Sequence, residues 1–342
     1  MNIGILTGGG DSPAINGAIR AVVRRAHFGG HTVFGFEFGW RGAVNNIGRP
    51  IGERDVSGIL PRGGTMLGTS RTNPYKEEGG IDKLKATLED RKVDALITIG
   101  GDDTNGVARR LCEERIIRCV GIPQTIDNDI PGTEFSIGYD SALNIVTEAL
   151  DRLHTTATSH HRILVCEIMG RDAGWLALLG GLAGGADEIL IPEVQFNIDE
   201  VAERLRKRFE RGKAVSIVAI AEGAKPSGMD HVITQDTSVD DYGHVKLGGV
   251  GNYVASQLEK KTGFETRTTV LGHLQRGGVP SAFDRVLATM FGVKAVALLE
   301  QGASGVMVVW QASEIRAVPF HEALVKTRLC PDEFVALAEL FR

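Results

Sequence analysis

The chain has 342 residues, 42% of them apolar and 24% charged, which is the profile of a soluble globular protein with room for two domains of ordinary size. A formal net charge of −5 gives no electrostatic case for nucleic acid or an anionic membrane surface as partner. No apolar run approaches the ~18 residues of a membrane span.

The first residues, Met1 to Thr7, enter a strand at once, without the layout of a secretory leader. The strand runs into Gly8-Gly9-Gly10-Asp11-Ser12-Pro13, and a helical pattern follows from Ala14 to Ala26, with Ile15, Ile19, Val22 and Val23 on one stripe. Ser12 is the expected N-cap and Pro13 the expected first helical residue. A glycine turn between a strand and a helix start lets an anion reach bare backbone N–H groups at the positive helix end. It is neither a P-loop nor a dinucleotide fingerprint, because the lysine and the glycine spacing are missing. Thr32 to Phe38 reads as the second strand, and the glycine- and hydroxyl-rich segment Arg62 to Arg71 follows. Arg71 could fork onto phosphate oxygens; a solvated loop is the competing reading.

Val93 to Ile99 is a buried strand feeding Gly100-Gly101-Asp102-Asp103-Thr104 and a helix through Leu111. A glycine turn for phosphate beside a carboxylate for Mg²⁺ is what phosphoryl transfer needs, although both acids also suit a helix N-terminus. Cys119 to Ile122 is another buried strand, stopped by Pro123. The polar loop behind it carries Gln124, Thr125, Asp127, Asn128 and Asp129, where one carboxylate can act as base while the other orients a metal or a neighbour. An ordinary Asx-rich turn is the bland alternative.

A long helix is expected from Ser141 to Thr156, broken by Ser159-His160-His161-Arg162. The paired histidines are a poor metal site, since neighbours in sequence face apart on regular structure. Ile163 to Ile168 is a strand ending in Met169-Gly170-Arg171, and Ala214 to Ala221 is one ending in Glu222-Gly223. Lys225 to Gly249 reads as an irregular surface excursion. Helix Gly251 to Lys261 and strand Arg267 to Leu271 follow, then Gly272-His273-Leu-Gln-Arg276, helix Asp284 to Gln301 and strand Val306 to Trp310. The four cysteines, Cys112, Cys119, Cys166 and Cys330, show no metal spacing and read as reduced thiols of a cytoplasmic protein.

Strands alternating with helices imply parallel sheets, and ligands of such sheets sit outside the carboxyl ends of the strands. Gly10, Asp102, Asp127, Arg171, Glu222 and His273 all follow strand ends.

Taken together, Leu-Thr-Gly-Gly-Gly-Asp, Gly-Gly-Thr-Met-Leu-Gly-Thr-Ser-Arg, Gly-Gly-Asp-Asp-Thr, Thr-Ile-Asp-Asn-Asp, Met-Gly-Arg, Ala-Glu-Gly-Ala and Leu-Gly-His-Leu-Gln-Arg-Gly-Gly resemble the phosphofructokinase family, in family order over residues 1 to about 290. The run Asp151 to Ala157 with Ser159 to Arg162 resembles its actinobacterial-type subgroup, which mixes ATP- and pyrophosphate-users. The resemblance implies two α/β, Rossmann-like three-layer domains with mainly parallel sheets and an active site in the cleft between them. The donor and Mg²⁺ domain would take 1–138 plus about 275–325, and the fructose 6-phosphate domain 139–274 plus about 326–342. It implies phosphoryl transfer to the 1-hydroxyl of fructose 6-phosphate, with Asp127 as base, Thr125 and Asp129 supporting it, and Arg171 meeting the charge on the transferring group. Asp102 would hold Mg²⁺, with Gly10, Arg71, Gly101, Asp103 and Thr104 around the donor. Met169, Gly170, Glu222, His273 and Arg276 would bind the sugar phosphate. Arg162 and Arg267 would reach it from a neighbouring subunit, making a homodimer or homotetramer with shared active sites.

Two positions bear on the donor. The residue after the Mg²⁺ aspartate is glycine in the family's ATP-users and typically aspartate in its pyrophosphate-users; here it is Asp103, which implies pyrophosphate. Pyrophosphate-users usually carry lysine where this chain has Gln124, and many ATP-users carry glycine. The alternatives are ATP as donor, sedoheptulose 7-phosphate as acceptor, and a non-catalytic sugar-phosphate sensor, which would be expected to lack Asp102, Asp127 or Arg171. Arg20, Arg24, Arg211 and Lys213 resemble part of an effector site, but Glu53 and His154 stand where regulated members have arginine.

Overall fold

The computed structural model describes residues 1–160, 162–213, 215–229, 234–239 and 245–341. His161 of the histidine pair, Ala214 of a predicted strand and most of the predicted excursion's centre lie outside the described residues. The chain splits into two compact units. The first gathers Met1–Ser141 and Arg276–Thr327, and the second the described residues of Ala142–Val239, Val245–Gln275 and 328–341.

The first stretch runs β1 (Asn2–Thr7), α1 (Ile15–Phe28), β2 (Thr32–Phe36), α2 (Trp40–Asn45), β3 (Gly48–Pro50), α3 (Gly80–Asp90), β4 (Ala95–Gly100), α4 (Asp102–Glu113) and β5 (Arg118–Pro123). Helix α1 starts at Ile15 with Ala14 as N-cap and no side-chain cap, later than Ser12 and Pro13 predict. The Ser12 hydroxyl is drawn off instead to the Ile137 carbonyl, 3.4 Å away. Helix α5 (Tyr139–His160) carries the chain out of the first unit and runs past the predicted stop at Thr156.

The second unit holds β6 (Ile163–Ile168), α6 (Trp175–Ala183), β7 (Glu188–Leu190), α7 (Ile198–Glu210) and β8 (Ser216–Ala221). Asn197 caps α7, its side chain accepting from the Asp199 N–H. The predicted irregular excursion contains an antiparallel pair, β9 (Thr234–Val239) and β10 (Val245–Leu247). Then come α8 (Val250–Thr262), β11 (Thr266–Val270) and a 3₁₀ turn, Gly272–Arg276. The chain returns to the first unit with α9 (Ala282–Glu300), β12 (Val306–Gln311), β13 (Glu314–Pro319) and α10 (Phe320–Ala323), and α11 (Asp332–Glu339) belongs to the second.

The first sheet has the order β13-β12-β5-β4-β1-β2-β3, with a parallel centre and antiparallel edge strands β3 and β13. Its alternation divides the apolar residues between two cores. Ile3, Ile5, Ile97, Ile99, Val120, Ile122 and Val308 pack with α1 and α9 residues such as Ile15, Ile19 and Phe291. Leu6, Leu96, Cys119, Met307 and Val309 pack on the other face with Trp40, Leu84, Val107 and Leu111 from α2, α3 and α4. The second sheet, β11-β6-β8-β7, is parallel throughout, and α7 and α8 cover one face through Val201, Leu205, Val254 and Leu258. No helix of the described residues is long and apolar enough to cross a membrane.

Candidate active site

In the first unit β1 lies between β2 and β4, and the chain leaves it toward β2 before returning to β4 on the other side. That reversal is a topological switch point, and it opens a crevice at the carboxyl ends of β1 and β4. The turns at that crevice are glycine-rich for stated reasons. A Cβ on Gly8 would lie 2.5 Å from Thr104 Oγ1, and one on Gly10 would lie 2.5 Å from Arg276 Nη1. The Arg62–Arg71 loop is tied to the same turn. Thr69 Oγ1 donates to the Gly9 carbonyl at 2.6 Å, and Asn16 donates to Arg62 and Gly63 carbonyls while accepting from the Met66 N–H. Arg71, at the loop's end, is exposed.

Helix α4 begins directly after Gly101 with Asp102 and Asp103 in its first turn, where the helix dipole favours negative charge. Asn105 braces this turn by donating to the Gly100 and Gly101 carbonyls at 2.7 and 3.1 Å. Asp102 opens on two cavities. One, of about 160 Å³, it shares with Asp129, Pro131 and Lys326. The other, of about 560 Å³, it shares with Asp103, Tyr75, Gly106, Arg109 and Arg110. Two hard carboxylates from neighbouring loops on one small open cavity fit Mg²⁺, which takes one or two carboxylates and completes its shell with water and phosphate.

The loop after β5 is built around Asn128, whose φ of 52° places it in the left-handed region that Asx residues tolerate. Its side chain accepts from the Ser136 N–H at 3.0 Å and donates to the Glu134 carbonyl at 3.1 Å. Thr125 accepts from the Asp127 N–H at 3.2 Å. Asp127 and Asp129 stand either side of buried Asn128 and are both half-buried. Gln124 is buried, and its Nε2 donates to the Gly10 carbonyl at 3.1 Å.

In the second unit the loops after β6 and β8 lie side by side, since Ile168 pairs with Ala221. The Glu222 N–H donates to the Ile168 carbonyl and the Gly223 N–H to the Gly170 carbonyl, at 2.8 and 3.0 Å. Any side chain at Gly223 would run into the Arg171 carbonyl. Buried Gln275 accepts from the Met169 N–H at 3.2 Å, which joins the turn carrying His273 to the same loops. Met169, Gly170, Arg171, Glu222 and His273 therefore belong to one strand-end cluster. Arg276 closes the same turn as His273 and Gln275 and donates to the Asp11 carbonyl at 3.0 Å. Arg162 and Arg267 sit at the opposite, amino ends of β6 and β11, both bound to Glu265. A strand of six residues spans ~20 Å, which sets Arg162 about that far from the loop at the other end of β6.

Sequence reasoning missed the braces Asn16, Asn105, Ser136 and Gln275, and also Tyr75, over whose ring Arg110 lies 3.5 Å from the centroid. Burial and the Glu114 carboxylate raise the Tyr75 phenol pKa, so it serves as a hydrogen-bond donor to Glu114 at 3.0 Å. Such residues carry no motif; only their positions in space reveal them.

The sequence matches the family model described as Phosphofructokinase over residues 2–299. A pyrophosphate–fructose 6-phosphate 1-phosphotransferase of Amycolatopsis mediterranei is 51% identical over 342 residues, covering 100% of this chain and 99% of that protein. An ATP-dependent 6-phosphofructokinase of Mycobacterium tuberculosis is 46% identical over 333 residues, covering 97% of this chain and 96% of that protein. Phosphofructokinase from Pichia pastoris, crystallised in the T-state, matches with a TM-score of 0.83 and 32% identity, covering 99% of this chain and 36% of that longer one.

Proposed function

Since the chain belongs to the phosphofructokinase family, we propose that it phosphorylates fructose 6-phosphate at the 1-hydroxyl, reversibly, with pyrophosphate as donor. The observation that carries this reading is the pair of acids opening α4. Asp102 lines both the small cavity, with Asp129, and the larger one, which Asp103 lines as well. A donor of two phosphates ends at Asp102. A nucleotide would bring its next phosphate toward Asp103, and two unit charges 4 Å apart repel by on the order of 4 kcal/mol at an effective dielectric of 20.

The residues then divide as follows. Gly10, Arg71, Gly101 and Thr104 shape the donor site, in which bare backbone and one guanidinium meet phosphate oxygens. Asp102, with Asp129 on the same cavity, would hold Mg²⁺, which when bound neutralises charge on the donor phosphates. Asp127, with its N–H held by Thr125, takes the proton of the sugar's 1-hydroxyl as that oxygen attacks the terminal phosphorus and inorganic phosphate leaves. Arg171 meets the charge on the transferring group, and Met169, Gly170, Glu222, His273 and Arg276 hold the sugar phosphate. Arg162 and Arg267, at the far ends of their strands, are assigned to a neighbouring chain's sugar phosphate, so the active form is a homo-oligomer. Activity regained on mixing Arg162→Ala and Asp127→Ser chains checks that assignment, and failure to regain any removes it. A cytoplasmic setting suits the four free thiols.

The donor is decided by assaying fructose 1,6-bisphosphate formation with each donor at equal Mg²⁺. Faster turnover with pyrophosphate is expected, and faster turnover with ATP overturns the reading. One observation favours ATP: Gln124 brings no positive charge, and its amide nitrogen is already bound to Gly10.

A further inference from the structure

In the sequence Gln124 reads as a side chain whose amide could donate to a donor phosphate, in place of a lysine. Its surroundings give it a different task. The side chain is 1% exposed, and Nε2 is directed at the Gly10 carbonyl, 3.1 Å away. Oε1 is buried with no hydrogen-bond partner. The following carbonyl, that of Asp11, accepts from Arg276 Nη1 at 3.0 Å. Two consecutive carbonyls of the turn after β1 are thus held by side chains from two different loops. In a trans peptide the carbonyl and the next N–H point in opposite directions. Holding the Gly10 and Asp11 carbonyls this way turns the Asp11 and Ser12 N–H groups away from Gln124 and Arg276.

We propose that Gln124 is a positioning residue for the donor: it touches no phosphate, and by fixing the Gly10 carbonyl it presents the Asp11 N–H to the donor's terminal phosphate. Aligned backbone N–H groups attract anions much as a single fixed charge does. The missing lysine is replaced by an oriented backbone dipole rather than by a second ligand. This rests on the proposed phosphoryl-transfer reading.

The test compares Gln124→Leu and Gln124→Met, each close in size to glutamine and neither able to donate to a carbonyl. Both are expected to raise KM for pyrophosphate about tenfold, while kcat at saturation and KM for fructose 6-phosphate stay within about twofold. Calorimetric titration of the sugar-free enzyme with pyrophosphate and Mg²⁺ is expected to show the same weakening. A melting temperature close to wild type establishes that each variant is folded, and having two variants keeps the test intact if one is not. An unchanged KM for pyrophosphate in both, or a shift confined to the sugar's KM, overturns the proposal. If wild type turns over faster with ATP, the reading of Asp103 falls. The same KM comparison is then made with ATP, so that the two failures are told apart.

Discussion

The strand-end turns of the two units are held in place by different means. In the first unit the turns lean on four buried amide side chains, Asn16, Asn105, Gln124 and Asn128, each no more than 4% exposed. Each reaches into the backbone of a turn and occupies its carbonyls or N–H groups. In the second unit the loops brace one another through backbone bonds, Glu222 to Ile168, Gly223 to Gly170 and Leu271 to Glu167, with Gln275 the main amide. On the proposed reading this difference matches what each set binds. A small inorganic donor would be gripped by backbone N–H groups and a metal, so the turns that present those groups need outside support. A sugar phosphate would be gripped by side chains such as Arg171, Glu222 and His273, so the backbone beneath them is free to pair with itself.

The largest expected effect separates chemistry from bracing. The turn that carries Asp127 is held by Asn128 and Ser136, whose bonds a change at Asp127 leaves in place. Asp127→Ser is therefore expected to lower kcat by roughly 10²–10⁴, the usual worth of a positioned base, with the melting temperature nearly unchanged. An appreciable residual rate would take the proton-accepting role away from Asp127.

The next tests the self-braced loops. A methyl group at Gly223 meets the Arg171 carbonyl, a backbone atom that cannot swing aside. Gly223→Ala is expected to displace Arg171, raise KM for fructose 6-phosphate by roughly 10- to 100-fold and lower the melting temperature by several degrees, overpacking strain being typically ~1–3 kcal/mol. Gly101→Ala is the control in the other unit, because its nearest neighbour beyond the adjoining chain is the Gln124 carbonyl at 3.8 Å. It should melt as wild type does and change only KM for the donor. Equal loss of stability in both variants would erase the contrast.

Much of this contrast could be read before the fold was known, and the reason is local. Buried strands such as Ala95–Gly100 and Ser216–Ala221 are unbroken apolar runs that stop at glycine, so the strand ends announce themselves. The edge strands Gly48–Pro50 and Glu314–Pro319 do not, because short or half-exposed strands lose the apolar run that marks the others. The start of α1 was misplaced for a related reason: Ser12 is a good cap in isolation, but Ile137 competes for its hydroxyl. Gln124 was legible as a position and not as a role. Its partner, Gly10, lies 114 residues earlier in the chain.

The smallest expected effect concerns the two acids opening α4, where bracing and specificity meet. Asp103 is half-exposed, so water screens it and only part of the repulsion toward a nucleotide survives. Asp103→Gly is therefore expected to raise kcat/KM for ATP by about tenfold, equivalent to ~1.4 kcal/mol. Removing the carboxylate also forfeits its attraction to the helix dipole and places glycine in the first turn, so melting should fall slightly even as ATP use improves. Asn105 continues to hold the Gly100 and Gly101 carbonyls in the variant, so KM for pyrophosphate should move little. If kcat/KM for ATP shows no gain while pyrophosphate use is preserved, charge at Asp103 does not set the donor. The discrimination would then belong to the braced turns themselves, and the contrast between the two units would extend from rigidity to specificity.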